Sequence, residues 1–552
     1  MKKPFFILLS FFVTTGVFAE KLPDNMYFHA MQDEMARTLR ELKRPGVPRP
    51  FYVAYKLESV RSFSEAEASL GALYPVQQRD DLLNISVVLN MGTPQEDRMG
   101  YAHDSYSVPY AYAPEWEKSV AKSYDGIRQA LWETTDDAYL VATEVYQQKQ
   151  AYKRLKNLPK DKPDFVPGKQ SRVFAPLAPL PAVDAAQLQA WAQEFSAEGN
   201  TRNYIEQLVV SFQPMQHNTF YLNSLGGAYQ QSRFAVRVHW VARLRNKDGY
   251  KKEWMQTLFL SAIDDKTAEM LRQKNAEFLQ AVDDIYQARK ADTYIGPVLL
   301  TPGAAGNFLQ TVLVPHLQHI TPLLSARTET DETAGKLRDK LGLRVFSNAV
   351  DVYDRPSAQE FNGTPLGGFM PVDDEGVAAQ DLTLITGGKL RALPRSSRPA
   401  TKGAQSNGHA RLTQTTLPRE RLTNVFVEAK QPLSQAALEQ QLLNKCRALE
   451  LEYCYILPTY PADGTTLPAA RRIYTQDGRK ETVYGLKLSD VTPRSLRDII
   501  AAGDAPEVNS IVMDRMPGLP AQSIITPALL LEELELVPDD IKQDKPPFVR
   551  KP

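Results

Sequence analysis

Apolar positions along the chain change spacing from segment to segment, and the spacing predicts the elements. Between Asn25 and Arg44, residues Phe28, Met31, Met35, Leu39 and Leu42 recur every three or four positions, which predicts an amphipathic helix ending before Pro45-Gly46. Strand-like runs follow: FYVAYKL (Phe51 to Leu57), a segment around Ser64 to Leu73, and LLNISVVLN (Leu82 to Asn90). This part reads as a helix on an antiparallel sheet. Trp116, Val120, Tyr124, Ile127 and Leu131 mark a second helix, continued by a polar helical stretch to about Asn157. Six prolines, Pro159, Pro163, Pro167, Pro176, Pro179 and Pro181, then predict an extended surface crossover over residues 158–182.

Tyr204 to Phe212 and Phe234 to Leu244 predict strands. The second places Phe234, Val236, Val238 and Trp240 on one face and Arg237, His239 and Arg243 on the other. Asn246-Lys247-Asp248-Gly249 predicts a hairpin turn into WMQTLFLSA, and a helix from about Lys266 to Lys290 closes the N-terminal half. Beyond a boundary near residue 292, short strands and turns dominate: LRVFSNAVDVYD, a Gly-rich loop, then LTLI with Gly387-Gly388 turning into KLRAL. Two helices are expected there. One spans about Ser434 to Leu449; the other starts at Thr492 as N-cap with Pro493 at N1 and ends against Gly503 at C′. The tail 538–552 is rich in proline and charge and is expected to be poorly ordered.

Composition narrows the class. The opening MKKPFFILLSFFVTTGVFAE has two lysines, an apolar run and a small-residue pattern ending at Ala19, so residues 1–19 are expected to be a cleaved secretory signal, with a periplasmic or secreted product. The run is shorter than the roughly 20 residues that span a bilayer, and no membrane anchor is expected. With 65 basic and 65 acidic residues and no basic cluster, neither a nucleic acid nor an anionic membrane is expected as partner. Of the 552 residues only Cys446 and Cys454 are cysteines, a pair that could form one short-loop disulfide or remain as two core thiols. No Walker A loop, G-x-G-x-x-G or G-x-S-x-G motif occurs.

The most informative stretch is Gly367-Gly368-Phe369-Met370-Pro371-Val372-Asp373-Asp374-Glu375-Gly376-Val377-Ala378-Ala379-Gln380. It resembles the DDEG-x-x-x-Q signature of the TldD/PmbA family, a group of metallopeptidase-related proteins. Tyr294 to Leu299 resembles the strand leading into that family's zinc helix. Ser406 to Arg411 and Leu422 to Glu428 resemble its R-x-T-N region, and Pro527 to Leu531 its closing strand. The resemblance implies an α+β fold, with an N-terminal α/β layered domain (20–291) and a C-terminal domain rich in antiparallel sheet (292–537). It also implies a dimer enclosing a chamber for unstructured peptide, either a homodimer or a heterodimer with a TldD/PmbA-type subunit.

Active relatives carry HExxxH on the helix after that strand and a C-terminal cysteine, because catalytic zinc needs three protein ligands, an open position and a base. Aligned on the two alanines of that helix, this chain has Leu309 at the first histidine, Gln310 at the glutamate and Val314 at the second histidine. No cysteine lies near Met513 to Met516, and no His-Glu dipeptide occurs anywhere, so a protein without catalysis and without a zinc cofactor is expected. The alternative, an active peptidase with non-standard ligands, would draw on His316, His319 or His409. His316 and His319 could share a helix face, but Pro315 interrupts that helix and two ligands are too few. Asp374 and Glu375, together with His409 and Arg411 in or beside the loop SNGHAR, are the residues expected to face a ligand; the bland reading is an acidic turn and a plain loop.

Overall fold

Two layered halves meet face to face, and the N-terminal strands carry the alternation that makes this possible. In the computed structural model, the residues described are 21–75, 82–102, 122–158, 162–179, 183–318, 321, 324–325, 335–413, 416–459, 466–467, 469–489, 491–512 and 521–539. The expected leader, Trp116, Val120, His319 and Met513 to Met516 lie outside them, as does the tail from residue 540.

The N-terminal sheet has eight strands built around the 19-residue strand Ile205–Asn223. One edge of this strand pairs antiparallel with Ala228–Arg245 along nearly its full length; the other is shared by Ala66–Ser69 and Pro50–Ser62. Leu82–Met91 and Lys251–Leu260 extend the sheet outward. Strand residues alternate faces. Val53, Tyr55 and Leu57 therefore pack with helices Met26–Glu41 and Tyr124–Leu155 in one core, while Tyr52 and Ala54 pack on the opposite side with Val372 and Leu412 of the C-terminal half. The same face carries Lys56 and Glu58.

Helix Ala185–Ala197 was not anticipated, although its signal is plain: Asp184 caps it by accepting from the N–H groups of Ala186 and Gln187, and Leu188, Trp191, Ala192 and Phe195 form its buried stripe. With helix Thr267–Gln287 it covers the other end of the sheet. Over its described residues, 162–179, the proline-rich segment forms no helix, and it is not confined to the surface. Phe165 is buried, the Val166 N–H donates to the Ser397 carbonyl and the Ser171 N–H to the Gly376 carbonyl, so the N–H groups between its prolines stitch the halves together.

The C-terminal half holds a nine-stranded and a six-stranded sheet packed around one core, with helix Pro302–Val312 between them. Helix Gln435–Ala448, capped by Ser434, covers the outer face of the larger sheet; there Cys446 and Cys454 are disulfide-linked with Cα atoms 6.2 Å apart. The helix expected from Thr492 to Gly503 is only a 3₁₀ turn, Pro493–Arg497, followed by strand Ile499–Ala502. Thr492 does cap it, but Ile499 and Ile500 are β-branched and pair beside the central strand Leu529–Pro538, which overrides the capping signal. The fold is α+β.

Candidate functional site

Strand Tyr294–Leu300 runs into helix Pro302–Val312 through Thr301, whose hydroxyl accepts from the Ala304 N–H at 3.4 Å, and Pro302 at the start of the helix needs no donor. The helix lies close on strand Glu507–Ile511, for a Cβ at Gly306 would sit 2.3 Å from Asn509 Cγ. Leu309 and Val314 are 0% and 1% exposed and belong to the central C-terminal core. Gln310 is half-buried, with its Oε1 buried and making no hydrogen bond among the described residues. Two hydrocarbon side chains and a neutral amide do not fit zinc, which protein sites hold with three or more Cys, His, Asp or Glu side chains. Among the described residues no three His, Cys, Asp or Glu side chains gather around one point.

Pro315 starts a separate short turn, Val314–Leu317, carrying half-buried His316, whose protonation is disfavoured by burial and by nearby Lys336. His409 is wholly buried. Its Nδ1 lies 3.0 Å from the carbonyl and side-chain oxygens of Asn407, and its Nε2 is 3.2 Å from Asp354 Oδ2, so it braces strands from within instead of facing a chamber.

The DDEG loop is a tight turn. The Asp373 N–H donates to the Val377 carbonyl and the Gly376 N–H to the Asp373 carbonyl, while Gly376 adopts φ +79°, with a Cβ there 2.5 Å from Gln170 Oε1. It is no exposed acidic turn, for all three carboxylates are at most 3% exposed. They also diverge. Asp373 accepts the N–H groups of Glu375, Val377 and Ala410 at 2.9–3.0 Å, and Glu375 accepts the Ser397 N–H at 2.6 Å. Burial pushes both upward, Glu375 to about 8 and Asp373 to about 7; the Asp373 charge adds to the rise at Glu375, and the Asp374 charge adds to that at Asp373. Three backbone N–H groups oppose the rise at Asp373, and the Ser397 N–H opposes it at Glu375.

Asp374 points the other way, onto the N-terminal sheet. It accepts from Tyr229 Oη at 2.5 Å and the Leu412 N–H at 2.7 Å, and lies 3.3 Å from Lys56 Nζ. Burial opposes its charge, but Lys56 and Arg411 outweigh burial and hold its pKa below the ordinary value. Lys56 stands beside Tyr221 and Tyr229 across three neighbouring strands, and its Nζ also pairs with Glu58 at 3.3 Å. His217, 3.8 Å from Glu58, is driven to about 4 by burial and stays neutral. Arg233, on the same face, donates to the Gly367 carbonyl and is lowered to about 10 by desolvation and by Arg411, whose own Nη2 donates to the Ala521 carbonyl.

Lys56, Arg233 and Arg411 thus gather with the carboxylates of Glu58 and Asp374 at the junction of the halves, beside a small cavity of about 50 Å³ lined by Arg233, Phe234, Leu260 and Gly367. Of the residues singled out from sequence, Asp374 and Arg411 meet here; Glu375 faces away and His409 lies deeper. Lys56, Glu58, His217, Tyr229 and Arg233 were missed. A usable signal existed: Lys56 and Glu58 fall two apart, on one face of a strand whose preceding residues, Phe51 to Tyr55, are apolar or aromatic.

Residues 293–537 match the family model for the PmbA/TldA metallopeptidase C-terminal domain. A metalloprotease of Archaeoglobus fulgidus is 29% identical over 111 residues, 20% of this chain; the match spans only 24% of that relative's length. The solved structure of TldE from Thermococcus kodakarensis superposes with a TM-score of 0.57 at 14% identity, covering 92% of this chain and 100% of that one. A Bacteroides thetaiotaomicron protein, described as a candidate modulator of DNA gyrase, gives 0.59 at 11% identity, with 93% and 98% covered. With the strand-to-helix entry and the DDEG turn in agreement, the C-terminal half of the chain belongs to the PmbA/TldD metallopeptidase family, and the whole chain shares the fold of TldE.

Proposed function

We propose that this protein is an exported, non-catalytic member of its family that binds unstructured peptide or completes a dimer, as a homodimer or with a TldD/PmbA-type partner subunit. The observation that carries the reading is the burial of Leu309 and Val314 in the C-terminal core, where an active relative would need histidines open to a metal and to substrate. The guanidinium groups of Arg233 and Arg411 support the binding half of the proposal, since such groups at a desolvated junction suit a peptide carboxylate. Export rests on the leader-like sequence of residues 1–19.

The test is a cleavage and binding assay on the mature protein with fluorescent unstructured peptides, run with and without added zinc and with chelator, alongside light scattering for oligomeric state. No cleavage under any condition, with saturable peptide binding or dimer formation, is expected. Chelator-sensitive turnover would overturn the reading and favour a peptidase with ligands from unexpected positions.

A further inference from the structure

A second seam between the halves, remote from the DDEG turn in sequence, encloses a cavity of about 230 Å³. Its lining includes Lys149 and Lys153 from helix Tyr124–Leu155, Lys162 and Asp164 from the proline-rich crossover, and Arg398 from the C-terminal half. Lys149, 1% exposed, donates to the Met99 carbonyl at 2.5 Å and pairs with Asp164 at 2.8 Å. Lys153 faces Glu96 at 3.7 Å. Lys162 donates to the carbonyls of Pro399 and Ala400. Behind Lys149, at 4.0 Å, lies Asp97, which burial pushes up to about 7.

Four cationic side chains therefore share the cavity wall with one carboxylate. Arg398 adds a second, independent observation. It is 5% exposed and its Nη2 donates to the Thr321 carbonyl at 2.6 Å, but its Nε is buried and has no hydrogen-bond partner among the described residues. A buried guanidinium donor left unmade costs on the order of 1–3 kcal/mol, a cost that an anion beside it would remove. The volume is several times the roughly 30 Å³ a water occupies in the liquid, so a small polyatomic ion fits.

We propose that this seam cavity is a binding site for a small multivalent oxyanion, a phosphate group or a compact di- or tricarboxylate, held by Arg398, Lys153 and Lys162. Such a ligand would bridge helix Tyr124–Leu155, the crossover and the loop around Arg398, and so tighten one half on the other.

The test is isothermal titration of the mature protein with inorganic phosphate and, separately, with citrate, at low and at chloride-matched ionic strength. Saturable binding below about 1 mM that survives chloride matching is expected, and the stronger of the two ligands identifies the source. Arg398→Gln should weaken it tenfold or more, whereas Arg272→Gln, an exposed arginine on the helix Thr267–Gln287, should not. Should Arg398→Gln fail to fold, Lys153→Gln, nearer the surface, serves in its place with the same expectation. Absence of binding below 10 mM, loss of binding on chloride matching, or equal weakening by Arg272→Gln would each overturn the proposal.

Discussion

Replacing Asp374 by Asn tests whether the DDEG turn is a lock between the halves. The side chain is 1% exposed and accepts from Tyr229 and the Leu412 N–H while pairing with Lys56. Asn keeps one acceptor oxygen but removes the charge and turns an N–H₂ donor toward another donor. Breaking a buried pair by removing one partner costs about 3–5 kcal/mol. Glu58 still faces Lys56 at 3.3 Å, so part of the ammonium charge remains compensated, and the lower end, about 3 kcal/mol, is the expectation. At about 2–4 °C per kcal/mol for a domain of this size, Tm should fall by roughly 6–12 °C. Thermal unfolding followed by circular dichroism reads this, and a cycle with Lys56→Met separates the pair from its surroundings. The double variant should be less destabilised than the sum of the singles by 1 kcal/mol or more. An Asp374→Asn variant within 1 °C of the parent, or strictly additive singles, would refute the lock.

Stability should also fall as pH rises. Glu375 and Asp373 are raised to about 8 and 7 from ordinary values of 4.5 and 3.8, so between pH 4 and 8 the folded chain binds more protons than the unfolded chain. Their contribution is complete below about pH 4 and lost as pH passes 8; at about 1.4 kcal/mol per pH unit for each group that is protonated only when folded, denaturant melts should lose several kcal/mol between pH 5 and 8, and Glu375→Gln should flatten that slope. Leu309→Ala, at a fully buried core site, should cost about 3 kcal/mol in urea unfolding, and a cost under 1 kcal/mol would place the residue outside the core. The Cys446–Cys454 bond closes a loop with a separation of 8 residues, worth about 2.5 kcal/mol in the loop-entropy model. Thiol titration of protein purified without reductant should find no free thiol, and reduction should lower Tm.

Local order was legible wherever one periodicity ruled. The stripe Phe28, Met31, Met35 predicted a helix that the structure has, because Asn25 caps it and both signals agree. Strand lengths were not legible: the run read as Tyr204 to Phe212 continues to Asn223, since Thr219, Tyr221 and Asn223 are polar-tipped yet buried, matched by Pro50–Ser62 on one side and Ala228–Arg245 on the other. Tertiary pairing also overrode the cap at Thr492. At the junction, the DDEG turn was readable from Gly376, but the direction of each carboxylate was not. Consecutive side chains diverge according to what lies opposite, and Lys56, Tyr229 and Ser397 come from distant segments of the chain. The histidines misled for the same reason: His409 sits in a polar loop sequence, but Asp354 and Asn407 enclose it.

The central claim, that the family's zinc position is filled by core side chains, is tested most directly by elemental analysis of the purified mature protein after equilibration with a slight excess of zinc and gel filtration. The account predicts far less than one zinc per chain, unchanged by Leu309→Ala. One tightly held zinc per chain, released by chelator and lost on substitution of His316, His319 or His409, would contradict it.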